Sequence, residues 1–480
     1  MLKRNWHYLL LLFLLADLGH SFWQYLQFPL DGDLAPIVWP DEAYRRVLHD
    51  PFGLRVLLHH EHYSAPNRFF THFFLYEYFR HVPLWLQQLL SPVDSLYVAC
   101  ALLKIAVHAL VVYVLAVAIS NSRHLLSRRF LLAAALVAPL LQTGGYNYQM
   151  GVVDWSITYV AFYALPLSLL LLFFLPYLRA AVHGTPLQVS WAGYAGLIGL
   201  AVVLAFNGPT VPATVLLVCP VALLGCWYRA FAARPALEPV LNRAVRALAQ
   251  LPPALLVPFG LFSALSLYSM FIGLNNSESQ WASMPLAERY ARLPLGIYYE
   301  LTEDVGLPVL LGLLLLNAFL LRRQAVPSGR VLAVLKWLGW FAVAYLLLLP
   351  LGGYRSYREY IVRHDSILPI TLGLIGGFAL SAYFLLTHLP TPARRRYAAA
   401  VVACLALFTF ADLRKLGTSN DCERSLFAQL SKSPDPIVRL PATCTMLDWQ
   451  PLTDYHKSEL DGKMLQYWNI TKTSKRYYQQ

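Results

Sequence analysis

"LYVACALLKIAVHALVVYVLAVAI", Leu96–Ile119, decides the fold. A helix rises about 1.5 Å per residue, so about 20 apolar residues cross the ~30 Å hydrocarbon layer of a bilayer. This stretch is long enough, and its only basic side chains are Lys104 and His108, four positions apart on one helical face. A polar ionisable group inside a membrane is costly and faces other helices or a cavity. The segment therefore predicts a transmembrane helix held inside a bundle.

Outward from it, apolar blocks recur at Tyr8–Phe28, Phe130–Leu141, Ile157–Leu178, Trp191–Phe206, Val211–Trp227, Leu251–Phe271, Leu307–Leu321, Val331–Leu351, Ile367–Leu386 and Tyr397–Phe410. The chain is 58% hydrophobic and 13% charged, against roughly 25% charge in a soluble domain. Strands alternating at barrel spacing are absent, which excludes the other spanning architecture. The expected fold is an all-α polytopic membrane protein with about eleven transmembrane helices.

With the N-terminus cytoplasmic, the inner segments carry Lys3, Arg4, Arg123, Arg128, Arg129, Arg179, Arg229, Arg234, Arg243, Arg246, Arg322, Arg323, Arg330 and Arg394 to Arg396, against the single acid Glu238. Basic inner loops are what orient a membrane chain. The net charge of +12 thus reflects insertion and not a nucleic-acid partner. The acids collect on the outer side, many of them near span ends. The N-terminal "MLKRNWHYLLLLFLLADLGHS" has the basic start and apolar run of a secretory signal but no small-x-small cleavage site, so it reads as an uncleaved anchor.

This topology defines a transmembrane domain over residues 1–410. Its first outer loop, 29–94, is too long for a turn and carries the aromatic, amphipathic pattern of helices lying in the interface. Residues 411–480 form a small outer C-terminal module. There Cys422 and Cys444 occupy a compartment that permits a disulfide. Cys100, Cys219, Cys226 and Cys404 fall in or beside spans, and no CxxC spacing suggests zinc. The expected location is a bacterial inner membrane with the C-terminus periplasmic.

Four polar groupings carry chemistry. "FPLDGDLAPIVWPDEAY", Phe28–Tyr44, places Asp31 and Asp33 around Gly32 just outside the first span. A carboxylate there suits a general base acting on an acceptor hydroxyl, or a ligand to a divalent cation. The plain alternative is a solvated turn. Asp17, His20 and Gln24 share one face of the first span, as Lys104 and His108 do in the second. They read either as an intramembrane functional set or as polar contacts between helices, with Lys104 and His108 then neutralising Asp17.

"GGYRSYREYIVRHDS", Gly352–Ser366, interleaves Arg355, Arg358 and Arg363 with Tyr354 and Tyr357 on the outer side. Arginine forks match phosphate oxygens, while salt bridges to the outer acids are the alternative. "QTGGYNYQMGVVDWS", Gln142–Ser156, offers Tyr146, Asn147, Asp154 and Trp155 for stacking on and hydrogen bonding to a sugar, or forms a re-entrant loop. No P-loop or dinucleotide fingerprint is present.

This layout of spans, acids directly after span one, interfacial helices and outer tail resembles the GT-C superfamily, the integral membrane glycosyltransferases that use polyprenyl-phosphate-linked sugars. The resemblance implies a catalytic acid in the first outer loop, at Asp31 or Asp33. It implies outer basic residues holding the lipid-linked phosphate, at Arg355, Arg358 or Arg363. Its partners would be a membrane-lipid sugar donor and an acceptor on the outer face. Two other readings stay open: a transporter or flippase using Asp17, His20, Lys104 and His108, and a non-catalytic envelope assembly protein using its tail.

Overall fold

The structure, a computed structural model, describes residues 7–141, 150–235, 238–279, 284–323, 328–352, 358, 360–413 and 419–480. Each of the eleven apolar segments has a helix at its core, because in lipid the backbone must satisfy its own hydrogen bonds. α1 (His7–Tyr25) leads into the first loop, built from α2 (Leu34–Val38), α3 (Glu42–Leu48), α4 (Leu54–His59) and the longer α5 (Phe69–Leu86). Then follow α6 (Pro92–Ser120), α7 (Arg128–Val137), α8 (Ile157–His183), α9 (Trp191–Ala205), α10 (Thr210–Ala232), α11 (Val240–Ala249) and α12 (Pro253–Gly273). The bundle ends with α13 (Leu286–Thr302), α14 (Gly306–Arg322), α15 (Gly329–Leu348), α16 (Leu368–His388) and α17 (Thr391–Asp412).

Six of these, α6, α8, α10, α12, α15 and α16, are long and apolar enough to cross a membrane; α13 and α14, bent by 87° at their junction, add a seventh if they count as one span. The difference from eleven lies in length and polarity. α7 has 10 residues and α9 has 15, about 15 and 22 Å of helix. α17 begins with Arg394, Arg395 and Arg396 in its first turns.

Position in the bundle explains composition. The most apolar stretches of α6 and α16 are 67% buried, whereas that of α15 is 11% buried and faces outward. α6 therefore tolerates Lys104 and His108, both 1% exposed, because protein and not lipid surrounds them. α8 opens with the single turn Ile157–Tyr159, then a π-helical turn over Val160–Ala164. Such turns widen a helix and recur at functional sites.

Two apolar cores form. One fills the bundle with residues such as Val111, Leu136, Phe173, Phe262, Ile375 and Phe378. The other joins the first loop, the N-terminal part of α6, the opening of α8 and the tail, through Leu34, Phe79, Tyr97, Val160, Phe427 and Trp468. The tail consists of α18 (Asp421–Lys432), β1 (Ile437–Leu440), α19 (Glu459–Tyr467) and β2 (Arg476–Gln479), the two strands pairing in parallel. Cys422 and Cys444 are joined in a disulfide.

The tail is fastened to the loop by buried polar contacts. Asn420 donates its backbone N–H to Gln27 O at 2.7 Å and its side-chain amide to Leu26 O at 2.8 Å. Glu423, 1% exposed, accepts from Leu30 N, Tyr97 Oη and Leu447 N. Trp468 donates its indole N–H to Phe79 O at 2.8 Å. The described tail, 419–480, thus shares a core with the first loop.

Candidate functional site

The Asp-Gly-Asp turn sends its two acids to different fates. Asp31 is 1% exposed and accepts four hydrogen bonds: Ser156 Oγ at 2.8 Å, Thr158 N at 3.0 Å, Thr158 Oγ1 at 2.8 Å and Asp33 N at 3.1 Å. A carboxylate offers about four lone-pair sites, so protein donors use them all. Burial pushes its carboxyl above the ordinary value, against the pull of those hydrogen bonds. Asp31 clamps the first loop to the opening turn of α8 through these hydrogen bonds.

Asp33 stays partly exposed and accepts the indole N–H of Trp449 at 3.2 Å. Gly32 makes this approach possible. A Cβ at Gly32 would lie 2.8 Å from both Cδ1 and the backbone N of Trp449, closer than real contacts permit.

Trp449 extends the site. Its ring centroid lies 5.5 Å from that of Trp155, edge to face, and 5.7 Å from that of Tyr159. Tyr159, on the opening turn of α8, accepts a hydrogen bond at 2.7 Å from Arg358 Nη2. Asp33, Trp449, Trp155, Tyr159 and Arg358 therefore form one contiguous patch: an acid, three aromatic rings and a guanidinium.

The remaining residues of that region are partnered. Asp154 accepts from Ser156 N at 2.8 Å and from His364 Nε2 at 3.1 Å. Burial works against charge on His364, but the Asp154 carboxylate beside it holds the imidazole above its ordinary value. Arg363 engages Asp365 with both prongs, Nε to Oδ1 at 3.0 Å and Nη2 to Oδ2 at 2.8 Å. Burial raises the Asp365 carboxyl, and the Arg363 fork outweighs it, leaving the group below the ordinary range. Arg363 thus spends the fork expected for phosphate on an ion pair that sets the entry to α16. Tyr354, Arg355, Tyr357, Tyr146 and Asn147 lie outside the described residues.

The intramembrane polar residues join helices. Gln24 donates to Asp412 O at 2.7 Å and contacts His20 Nε2 at 2.9 Å, tying α1 to the end of α17. Asp17 lies within electrostatic reach of Asp412. Lys104 does not neutralise Asp17: it donates to Trp155 O, sits 4.8 Å over the ring of Phe28, and has Asp154 and Asp31 as its nearby carboxylates. His108 Nδ1 meets Tyr25 Oη at 2.9 Å. Lys104 therefore supports the backbone that presents Trp155.

Among the described residues no group of three His, Cys, Asp or Glu side chains is placed to hold a metal ion. Sequence reasoning missed Trp449, Tyr159 and His364. His364 sat inside a segment already singled out, but nothing in the chain order links Trp449 to Asp33. The chain matches no family model, no curated protein and no solved structure.

Proposed function

We propose that the chain is a membrane glycosyltransferase of the GT-C kind, moving a sugar from a polyprenyl-phosphate donor to an acceptor at the outer face. The observation that carries this reading is the meeting of Asp33 and Arg358 on one aromatic pair, Trp449 and Tyr159. Asp33 accepts the proton of the acceptor hydroxyl as it attacks the anomeric carbon. The bond from that carbon to the phosphate oxygen breaks, and the Arg358 guanidinium stabilises the charge growing there. The aromatic rings offer faces on which the sugar stacks. A donor delivered by the membrane accounts for the lack of a nucleotide motif.

The contact between Asp33 and Trp449 also supports a topology. Two segments in contact share a side of the membrane, which calls for an even number of crossings between them. The six long helices satisfy that parity, and so do ten, the number that follows the first loop in an eleven-span chain. Seven do not: if the bent α13–α14 pair crosses, one of the shorter helices crosses as well. We place the N-terminus in the cytoplasm, the tail outside, and the chain in a bacterial inner membrane.

The test is sugar transfer from a synthetic polyprenyl-phosphate donor by the full chain in lipid nanodiscs. Asp33→Asn, on a part-exposed site, should abolish turnover while leaving the melting temperature in place. Wild-type-like turnover by Asp33→Asn sinks the reading.

A further inference from the structure

A second candidate lies in the first loop, at the opposite end of α2 from Asp33. Between α3 and α5 opens a cavity of about 390 Å³, lined by Trp39, Pro40, Arg45, Leu48, His49, Phe73, Tyr76 and Arg80. Volumes of about 300–1,000 Å³ are typical of small-molecule pockets. The lining holds two arginines and a histidine but no carboxylate.

Arg80 is held ready in this wall. Its guanidinium packs at 4.8 Å over Tyr76, 5.1 Å over Tyr467 and 5.7 Å over Trp39, and it donates to Tyr76 Oη at 2.6 Å. An arginine has five N–H donors in a rigid fork, so four remain unspent on side-chain or backbone acceptors among the described residues. Arg45, exposed on α3, spends only its Nε, on Pro40 O at 3.2 Å. Neither arginine has a carboxylate partner among the described residues.

The neighbouring cavity gives the contrast. It shares Arg45 and His49 but adds Glu42, Arg46, Arg55 and Glu61. There Arg46 faces Glu42 at 3.8 Å and Arg55 faces Glu61 at 4.0 Å, so both of its carboxylates are taken by arginines other than Arg45. Arg45 therefore brings its positive charge to both cavities without a carboxylate partner among the described residues, and Arg80 adds a second to the α3–α5 cleft. Membrane insertion does not explain it either, because the orienting cations belong on the inner side.

We propose that the α3–α5 cleft binds a phosphate-bearing headgroup, with Arg45 and Arg80 gripping the phosphoryl oxygens and Trp39 and Phe73 covering the attached group. The cleft shares no residue with the Asp33 patch, so this proposal stands apart from the glycosyltransferase reading. Two sources share the chemistry: a soluble phosphate compound and an anionic lipid.

Two titrations on the full chain separate them. Inorganic pyrophosphate is titrated calorimetrically into phosphatidylcholine nanodiscs holding the protein. Phosphatidylglycerol retention is measured by native mass spectrometry after delipidation, with phosphatidylcholine as reference. Saturable binding in either arm, weakened about tenfold by Arg45→Gln, is expected, since one charge-assisted hydrogen bond is worth roughly that factor. Binding in the first arm alone identifies a soluble phosphate, and in the second alone a lipid. Arg80→Gln removes the other grip but also disturbs Trp39 and Tyr467, so Arg45→Gln on the exposed helix is the deciding variant. Arg55→Gln, at an arginine of the neighbouring cavity already paired with Glu61, should bind as wild type does. No binding in either arm, or binding indifferent to Arg45→Gln, overturns the proposal.

Discussion

The indole N–H of Trp449 donates to the Asp33 carboxylate at 3.2 Å, bridging residues 416 positions apart. The part-exposed acid of the Asp-Gly-Asp turn is thereby covered by a ring from the tail. The hydrogen bond orients the carboxylate, and the ring supplies the stacking face beside it. Trp449→Phe keeps the face and loses the donor, so sugar transfer should fall by only a few-fold. Trp449→Ala loses both and should fall further. Equal turnover in the two variants assigns all of the effect to the hydrogen bond and removes the stacking role.

Asp31→Asn separates the two acids of the turn. An amide in place of the carboxylate turns a donor toward Thr158 N or the hydroxyls, leaving a buried polar group without its partner. That costs about 1–3 kcal/mol. The melting temperature should fall, whereas Asp33→Asn should leave it unmoved. A stable but inactive Asp31→Asn would return the catalytic role to Asp31.

Gly32→Ala tests the seam between loop and tail. The new Cβ meets Trp449 Cδ1 and N at 2.8 Å and Asp448 Cα at 2.9 Å, and two of these three atoms are backbone. The tail has to shift, at about 1–3 kcal/mol for an overpacked contact. Lower thermal stability with faster proteolysis of the tail is the expected result, and an unchanged melting curve contradicts the close approach.

Acid should strengthen the tail. Burial pushes Glu423 up to about 7, against the hydrogen bonds from Leu30, Tyr97 and Leu447, and pushes Asp461 up to about 7 as well. Unfolded carboxyls titrate near about 4. Between those values the folded chain binds more protons than the unfolded one, so stability is fully present below about pH 4 and is lost as pH rises through 7. The melting temperature of the full chain should be higher at pH 5 than at pH 8, and Glu423→Gln should flatten the slope.

The membrane character was legible because a run such as Leu96–Ile119 has one cheap environment. The acids after span one were legible as a group, but not which of them stays reachable. That division depends on Ser156 and Thr158, which saturate Asp31, and on Trp449, which arrives from the far end of the chain. Arg363 read as a phosphate ligand because an arginine fork matches phosphate and carboxylate alike. Its partner, Asp365, was two residues away, and only the bidentate geometry shows the fork to be taken. Span counting suffered for a related reason: α7 is apolar because it packs among helices, with seven of its ten residues buried, so hydropathy alone does not measure the distance it crosses.

Parity is the most economical check on the whole arrangement. Glu42, on α3, and Lys432, at the end of α18, are both exposed, one on the first loop and one on the tail. A single cysteine at each, in a Cys226→Ser background because Cys226 is the free thiol not fully buried, reports which side it occupies. A membrane-impermeant maleimide applied to intact spheroplasts should label Glu42→Cys and Lys432→Cys alike, and a cysteine at Arg395 only after the membrane is opened. Labelling of one of the first pair without the other would put an odd number of crossings between them. The Asp33–Trp449 contact could not then exist, and the outer patch built on it would fall with it.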